Sequence, residues 1–129
     1  MGTIRDFAIL AGRIFIAAIF IYDATLLARF PDINIAFMES FGVPGFLLWP
    51  TALFQSFCGL LVVAGFLTRP AALALAGFCL LTAIIFHRNF ADLNEIIQFG
   101  KDIGLAGGFL FLAADGPGTL SLDALWERR

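Results

Sequence analysis

The sequence predicts an all-α fold: an integral membrane four-helix transmembrane bundle. Two observations carry that reading. Hydrophobic residues make up 60% of the 129 and charged residues 14%, with a mean hydropathy of +0.94, where an ordinary soluble domain carries roughly 25% charged residues. The apolar residues are also gathered into four continuous runs, each near the roughly 20 residues that cross a hydrocarbon core as a helix. Barrel strands would instead alternate apolar and polar residues over about 10 positions.

The spans are expected near residues 7–28, 46–67, 70–88 and 94–114, within a single transmembrane domain over 1–129. The first run is longer than a signal-peptide core of roughly 7 to 15 residues and contains Arg13 and Asp23, so it reads as a retained span. "RFPDIN", "TRP", "RNFADLN" and "DGPG" mark the breaks, with proline or glycine in most of them. Between the first two spans, "ESFGVPGF" is long enough for a short interfacial helix, and Trp49 sits where an aromatic anchor meets headgroups. Asp92 followed by Glu95 in "DLNE" has the pattern of a capping box for the fourth helix. After the last span, Ser121 and Asp123 are placed to cap a short surface helix that carries Trp126.

An even number of spans puts both termini on one face. Arg5, Arg69, Arg128 and Arg129 lie there, with Arg13 expected to snorkel toward it; Arg29, Arg88 and Lys101 lie on the other. Arg88 reads as an interfacial anchor. The bias places both termini in the cytoplasm.

Lipid tails are as apolar as leucine, so spans associate through close backbone approach and buried polar contacts. The second span offers Ala52, Gln55, Ser56 and Gly59 on one face; the third offers Ala72, Ala76, Cys79 and Ala83, with His87 one turn further. Gly100, Gly104, Gly107 and Gly108 give the fourth span a small-residue stripe for helix packing or for a partner. The single histidine is thereby expected to look into the bundle.

Each ionisable residue in a span costs roughly 2.5 to 3.5 kcal/mol at the centre on insertion scales, so each needs a reason. Asp23 lies within the hydrocarbon and must be protonated or meet a cation. His87, Lys101 and Asp102 occupy the same outer half, and Glu95, Gln98 and Asp102 recur at i, i+3 and i+7. A polar pocket near the outer membrane face is expected, with Asp23, His87, Lys101 and Asp102 as its walls and Gln55 seeking an interhelical partner. A structural ion-pair network is the other reading, and at this stage both stand.

Several classes fall away. Eight basic residues are scattered without a patch for a phosphate backbone, which speaks against nucleic acid. Cys58 and Cys79 lack CxxC spacing, and one histidine can supply neither a zinc cluster nor two haem ligands. No metal site is expected, and no self-contained catalytic motif is visible, neither a Ser, His, Asp set at one depth nor a phosphate-binding glycine loop.

Taken together, "AGRIFIAAIFIYDA", "FGVPG", "GLLVVAGFLTRPAAL", "FH", "KDIGLAGGFLFLA" and "GPGTLSLD", in that order, resemble the DoxX family of small four-span bacterial membrane proteins over nearly the whole chain. The resemblance implies a four-helix inner-membrane protein, in some members a partner of redox enzymes. The namesake relatives include the membrane subunit of a thiosulfate to quinone oxidoreductase, and more distant ones assist assembly of other membrane proteins. Arg13, Gly42, Pro44, Gly59, Arg69, His87, Lys101, Gly107, Gly108, Gly116, Gly118 and Asp123 match the recurring pattern. Family members often carry glutamate at the place of Gln55 and glycine or serine near Asp23, so here the acid has moved from the second helix to the first.

Two functions therefore remain open. One is a membrane subunit or accessory protein of a quinone-linked oxidoreductase system, with a quinone as the implied ligand. The other is a non-catalytic scaffold or assembly factor docking on another membrane protein. A small transporter is disfavoured, because no span is broken at its middle. Pairing of two copies is compatible with either.

Overall fold

A computed structural model of the chain describes residues 3–87 and 89–127. The expected anchor Arg88 and the C-terminal Arg128 and Arg129 lie outside the described residues. In chain order come α1 (Thr3–Arg29), α2 (Pro31–Ser40), a 3₁₀ turn (Gly45–Leu47), α3 (Leu48–Ala64), α4 (Thr68–Phe86), α5 (Leu93–Asp115) and α6 (Leu122–Glu127). No strand occurs among the described residues, and four stretches, α1, the 3₁₀ turn with α3, α4 and α5, are long and apolar enough to cross a membrane. The fold is the all-α membrane bundle that the composition requires.

Local chemistry sets the breaks. Gly65 ends α3 in the left-handed region, φ 72°, with its N–H bonded to the carbonyls of Leu61 and Val62, a conformation that glycine adopts without a Cβ penalty. The helix between the first two spans differs in place from the one expected. It occupies Pro31–Ser40 and stops as the "ESFGVPGF" segment begins. Proline at its first position has no amide to lose there and its φ is already helical, whereas Gly42 at φ 80° and extended Pro44 break the helix off.

α1 lies mainly against α3 and α4 mainly against α5, with an α3 to α4 contact joining the two pairs. Ala72, Ala76, Cys79 and Ala83 are all buried on α4, as are Ala52, Gln55 and Gly59 on α3. A Cβ on Gly59 would stand 2.8 Å from Cγ1 of Ile21, so α1 closes on α3 at that point because the residue is glycine. Phe20 meets Phe109 and Phe78 edge-on at 5.4 and 6.2 Å between ring centroids, and Phe109 is fully buried. Outward faces carry Phe15, Leu53, Phe57 and Phe111, each more than 60% exposed, which suits acyl chains and not water.

The glycine stripe of α5 does not pack within the chain. Gly100, Gly104 and Gly107 have nothing within 4 Å of a notional Cβ, and Gly108 has only Ile16, at 3.9 Å. At 3.6 residues per turn the first three lie opposite Phe109, and α5 turns Ala106, Phe109 and Leu112 inward instead.

Arg13 also departs from expectation. It does not snorkel: it is 2% exposed, and its Nη2 donates to the Leu120 carbonyl at 2.6 Å. The C-terminal tail folds back over this end of the bundle and clamps it. Asp123 accepts the Leu67 and Thr68 amides at 2.8 and 3.0 Å, while its own amide donates to the Gly65 carbonyl at 2.8 Å. Asp123 thus caps α4, across more than 50 residues of chain; the cap of α6 is Ser121, whose Oγ accepts the Ala124 amide at 3.2 Å. Arg69 Nη1 donates to the Ala113 and Ala114 carbonyls at 3.0 and 2.6 Å, satisfying acceptors that the end of α5 leaves over. Burial alone would raise the Asp123 carboxyl, but the Thr68 and Leu67 hydrogen bonds and the Arg13 charge outweigh it and hold it below the usual carboxylate range.

Candidate functional site

At the end of the bundle away from this clamp, α1, α2, α3, α4 and α5 surround a cavity of about 430 Å³. Its apolar walls include Phe20, Phe37, Met38, Phe78 and Phe86; its polar groups are Asp23, Asn34, Thr51, Gln55, Thr82, His87 and Asp102. Each spanning helix contributes for a local reason. Gln55 continues the buried Ala52 face of α3, His87 ends the alanine stripe of α4, and Asp102 stands one turn before Ala106 on the inward face of α5.

Gln55 is 2% exposed and its Nε2 donates to Asp23 Oδ2 at 3.0 Å. Asp23 thus has a companion, although an amide and not a cation. The other half of the Gln55 amide, Oε1, is buried with no hydrogen-bond partner among the described residues, an uncommon state for a buried acceptor. His87 Nδ1 donates to Glu95 Oε2 at 3.2 Å, and its Nε2 lies 3.8 Å from Asp102 Oδ2. The capping pattern at "DLNE" is therefore divided. Asp92 Oδ1 accepts the Asn94 amide at 2.9 Å, while Glu95 turns to the histidine.

Of the residues expected in a pocket, Asp23, Gln55, His87 and Asp102 line this one and Lys101 does not. Lys101 is exposed, because one residue along a helix is a turn of about 100° and Asp102 takes the inward direction. Gln98, also expected in the stripe, is exposed near the start of α5.

Thr51, Thr82 and the aromatic wall from α2 were not foreseen. Phe37 stacks on Phe86 at 5.4 Å, with Phe41 edge-on to Phe86 at 5.2 Å. The usable signal was the proline in "RFPDIN", where Pro31 starts a helix whose Asn34 bonds back to the Phe30 carbonyl at 2.8 Å.

The family model for DoxX matches residues 8–88. Over 129 residues the chain is 40% identical to the inner membrane protein YqjF of Escherichia coli strain K12, covering 100% of this chain and 99% of the relative. It is 33% identical over 130 residues to the inner membrane protein YphA of the same organism, covering 95% of this chain and 92% of that one. No solved structure matches the chain.

Proposed function

This chain belongs to the DoxX family, and from that premise we propose that it is an inner-membrane accessory protein, or subunit, of a quinone-linked oxidoreductase system. Residues 1–129 act as one transmembrane domain with both termini cytoplasmic, and the cavity opens toward the outer face. One observation carries the reading: an apolar cavity of about 430 Å³ has its polar groups gathered from every spanning helix, with a buried Gln55 acceptor left unpaired among the described residues. A concave apolar site with a few convergent polar groups is the usual form of a small-molecule site.

The phenylalanine and methionine walls suit a substituted ring, and Gln55 and Asp23 offer its oxygens hydrogen-bonding partners. When bound, a quinol supplies two electrons and two protons on passing to its quinone. Asp23 and Gln55 hold the ring, and Phe37 with Phe86 keeps water from it. His87, set between Asp102 and Glu95, moves protons between the cavity and the outer surface.

Protein extracted in mild detergent is expected to retain a quinone or its quinol, identified by ultraviolet spectroscopy or mass spectrometry. If neither form binds, native or added, the reading fails. A scaffold or assembly role is the second reading, supported by the open glycine face of α5. It predicts that Gly104→Leu inserts and folds normally but loses a co-purifying membrane protein, or a second copy of this chain; unchanged pull-down counts against it.

A further inference from the structure

We propose that this cavity selects ligands whose polar head donates hydrogen bonds and rejects heads of the same shape that only accept them. The proposal deepens the reading above and rests on the cavity being a ligand site.

The argument is a census of donors and acceptors at the polar end. Among the lining residues the donors are largely spent. Asn34 Nδ2 donates to the Phe30 carbonyl at 2.8 Å and the Leu26 carbonyl at 3.5 Å, Thr82 Oγ1 donates to the Cys79 carbonyl at 3.1 Å, and Gln55 Nε2 spends one of its two hydrogens on Asp23. The imidazole of His87 is held between two carboxylates, those of Glu95 and Asp102. Thr51 leaves one hydroxyl, and no lysine or arginine lines the cavity among the described residues.

Acceptors, by contrast, are in surplus. An ionised carboxyl offers about four lone-pair positions and a protonated one still accepts at its oxygens beside its single O–H, and both Asp23 and Asp102 line the cavity. Gln55 Oε1 adds a buried acceptor with no donor to meet among the described residues. A ligand carbonyl or ether oxygen brought here adds another acceptor to this set, whereas a hydroxyl or ammonium supplies the missing hydrogen. Sites built around a hydrogen bond to a ligand discriminate strongly against the analogue that lacks its half of the bond, because the buried protein group is then left unpaired.

Two ligand types share this chemistry on an apolar body: a dihydroxylated aromatic ring and a protonated arylalkylamine. A matched pair separates donor from acceptor within each type. Durohydroquinone, kept anaerobic, is compared with duroquinone, and 4-phenylbutylammonium with 4-phenylbutyl methyl ether. Binding is measured on the full chain in nanodiscs by microscale thermophoresis.

The donor member of at least one pair is expected to bind 10-fold or more tightly than its acceptor partner, and the pair that shows it identifies the ligand type. Asp23→Asn gives the site an amide with two donor hydrogens in place of a carboxyl oxygen, so it should reduce that preference to below about threefold. Gln55→Leu should weaken the donor ligand alone. Equal or tighter binding of the acceptor members to the wild-type chain overturns the proposal while leaving the cavity a ligand site. Binding by none of the four probes overturns the proposal together with the cavity reading on which it rests.

Discussion

Replacing Gly65 by alanine should unfold the clamp at the end of the bundle opposite the cavity. Gly65 has φ +72°, and a Cβ there would collide with Arg13 Nη1 and with the Cβ of Ser121, with the Ser121 Cα at 3.1 Å. The left-handed backbone costs an alanine about 1 to 2 kcal/mol. Forcing atoms into a packed site costs about 1 to 3 kcal/mol more. Arg13 cannot yield freely, since its Nη2 is held by the Leu120 carbonyl at 2.6 Å. Nor can Ser121, because the segment after it is tied to Gly65 and α4 through Asp123. The sum is about 2 to 5 kcal/mol. Unfolding free energy is to be measured by titrating mixed micelles with sodium dodecyl sulfate and following helicity. Gly77→Ala is the control: a Cβ at Gly77 meets nothing within 4 Å, so helix propensity alone should stabilise it by up to about 1 kcal/mol. A Gly65→Ala loss smaller than about 0.5 kcal/mol, the ordinary surface range, would refute the clamp.

The same clamp has an acid limit. Because the folded Asp123 carboxyl lies below its usual value, its contribution is complete above the unfolded value of about 4 and is lost as pH falls through the lower folded value. Asp123→Asn should cost about 0.5 to 2 kcal/mol at neutral pH, as losses of helix caps do, and should flatten that acid-side decline in the same titration. Phe109→Ala removes the ring on which Phe20 packs at 5.4 Å. It should cost about 3 kcal/mol, the low end for large-to-small core changes, since lipid weakens the transfer contribution; a cost under 1 kcal/mol would place Phe109 outside the core.

What was legible in the sequence is what a single helix determines. Span length fixes the solvent, and the alanine stripe of α4 points one way from Ala72 to Ala83, so the inward direction of His87 follows from its spacing. Asp92 caps its own helix and could be read locally. Glycine spacing could not be resolved in the same way: GxxxG on α5 looks alike whether it faces a neighbour or open lipid, and Phe109, which decides the matter, is one apolar residue among many. Lys101 and Asp102 are adjacent in sequence yet point about 100° apart. Arg13 and Leu120 meet across 107 residues, and no local rule reaches that far. The tail motif containing Asp123 was recognisable, but the α4 amides it serves were not.

The central claim is that the polar side chains of the spans converge on a space that holds a small apolar-bodied molecule. Native mass spectrometry of the chain released from its own membrane tests this most directly, with Thr82→Phe, which fills the cavity beside Phe78 and Phe86, as the comparison. The account predicts a small-molecule adduct on the wild-type chain that is lost from an equally helical, monodisperse Thr82→Phe. A bare wild-type chain, or an adduct that persists when the cavity is filled, would contradict it.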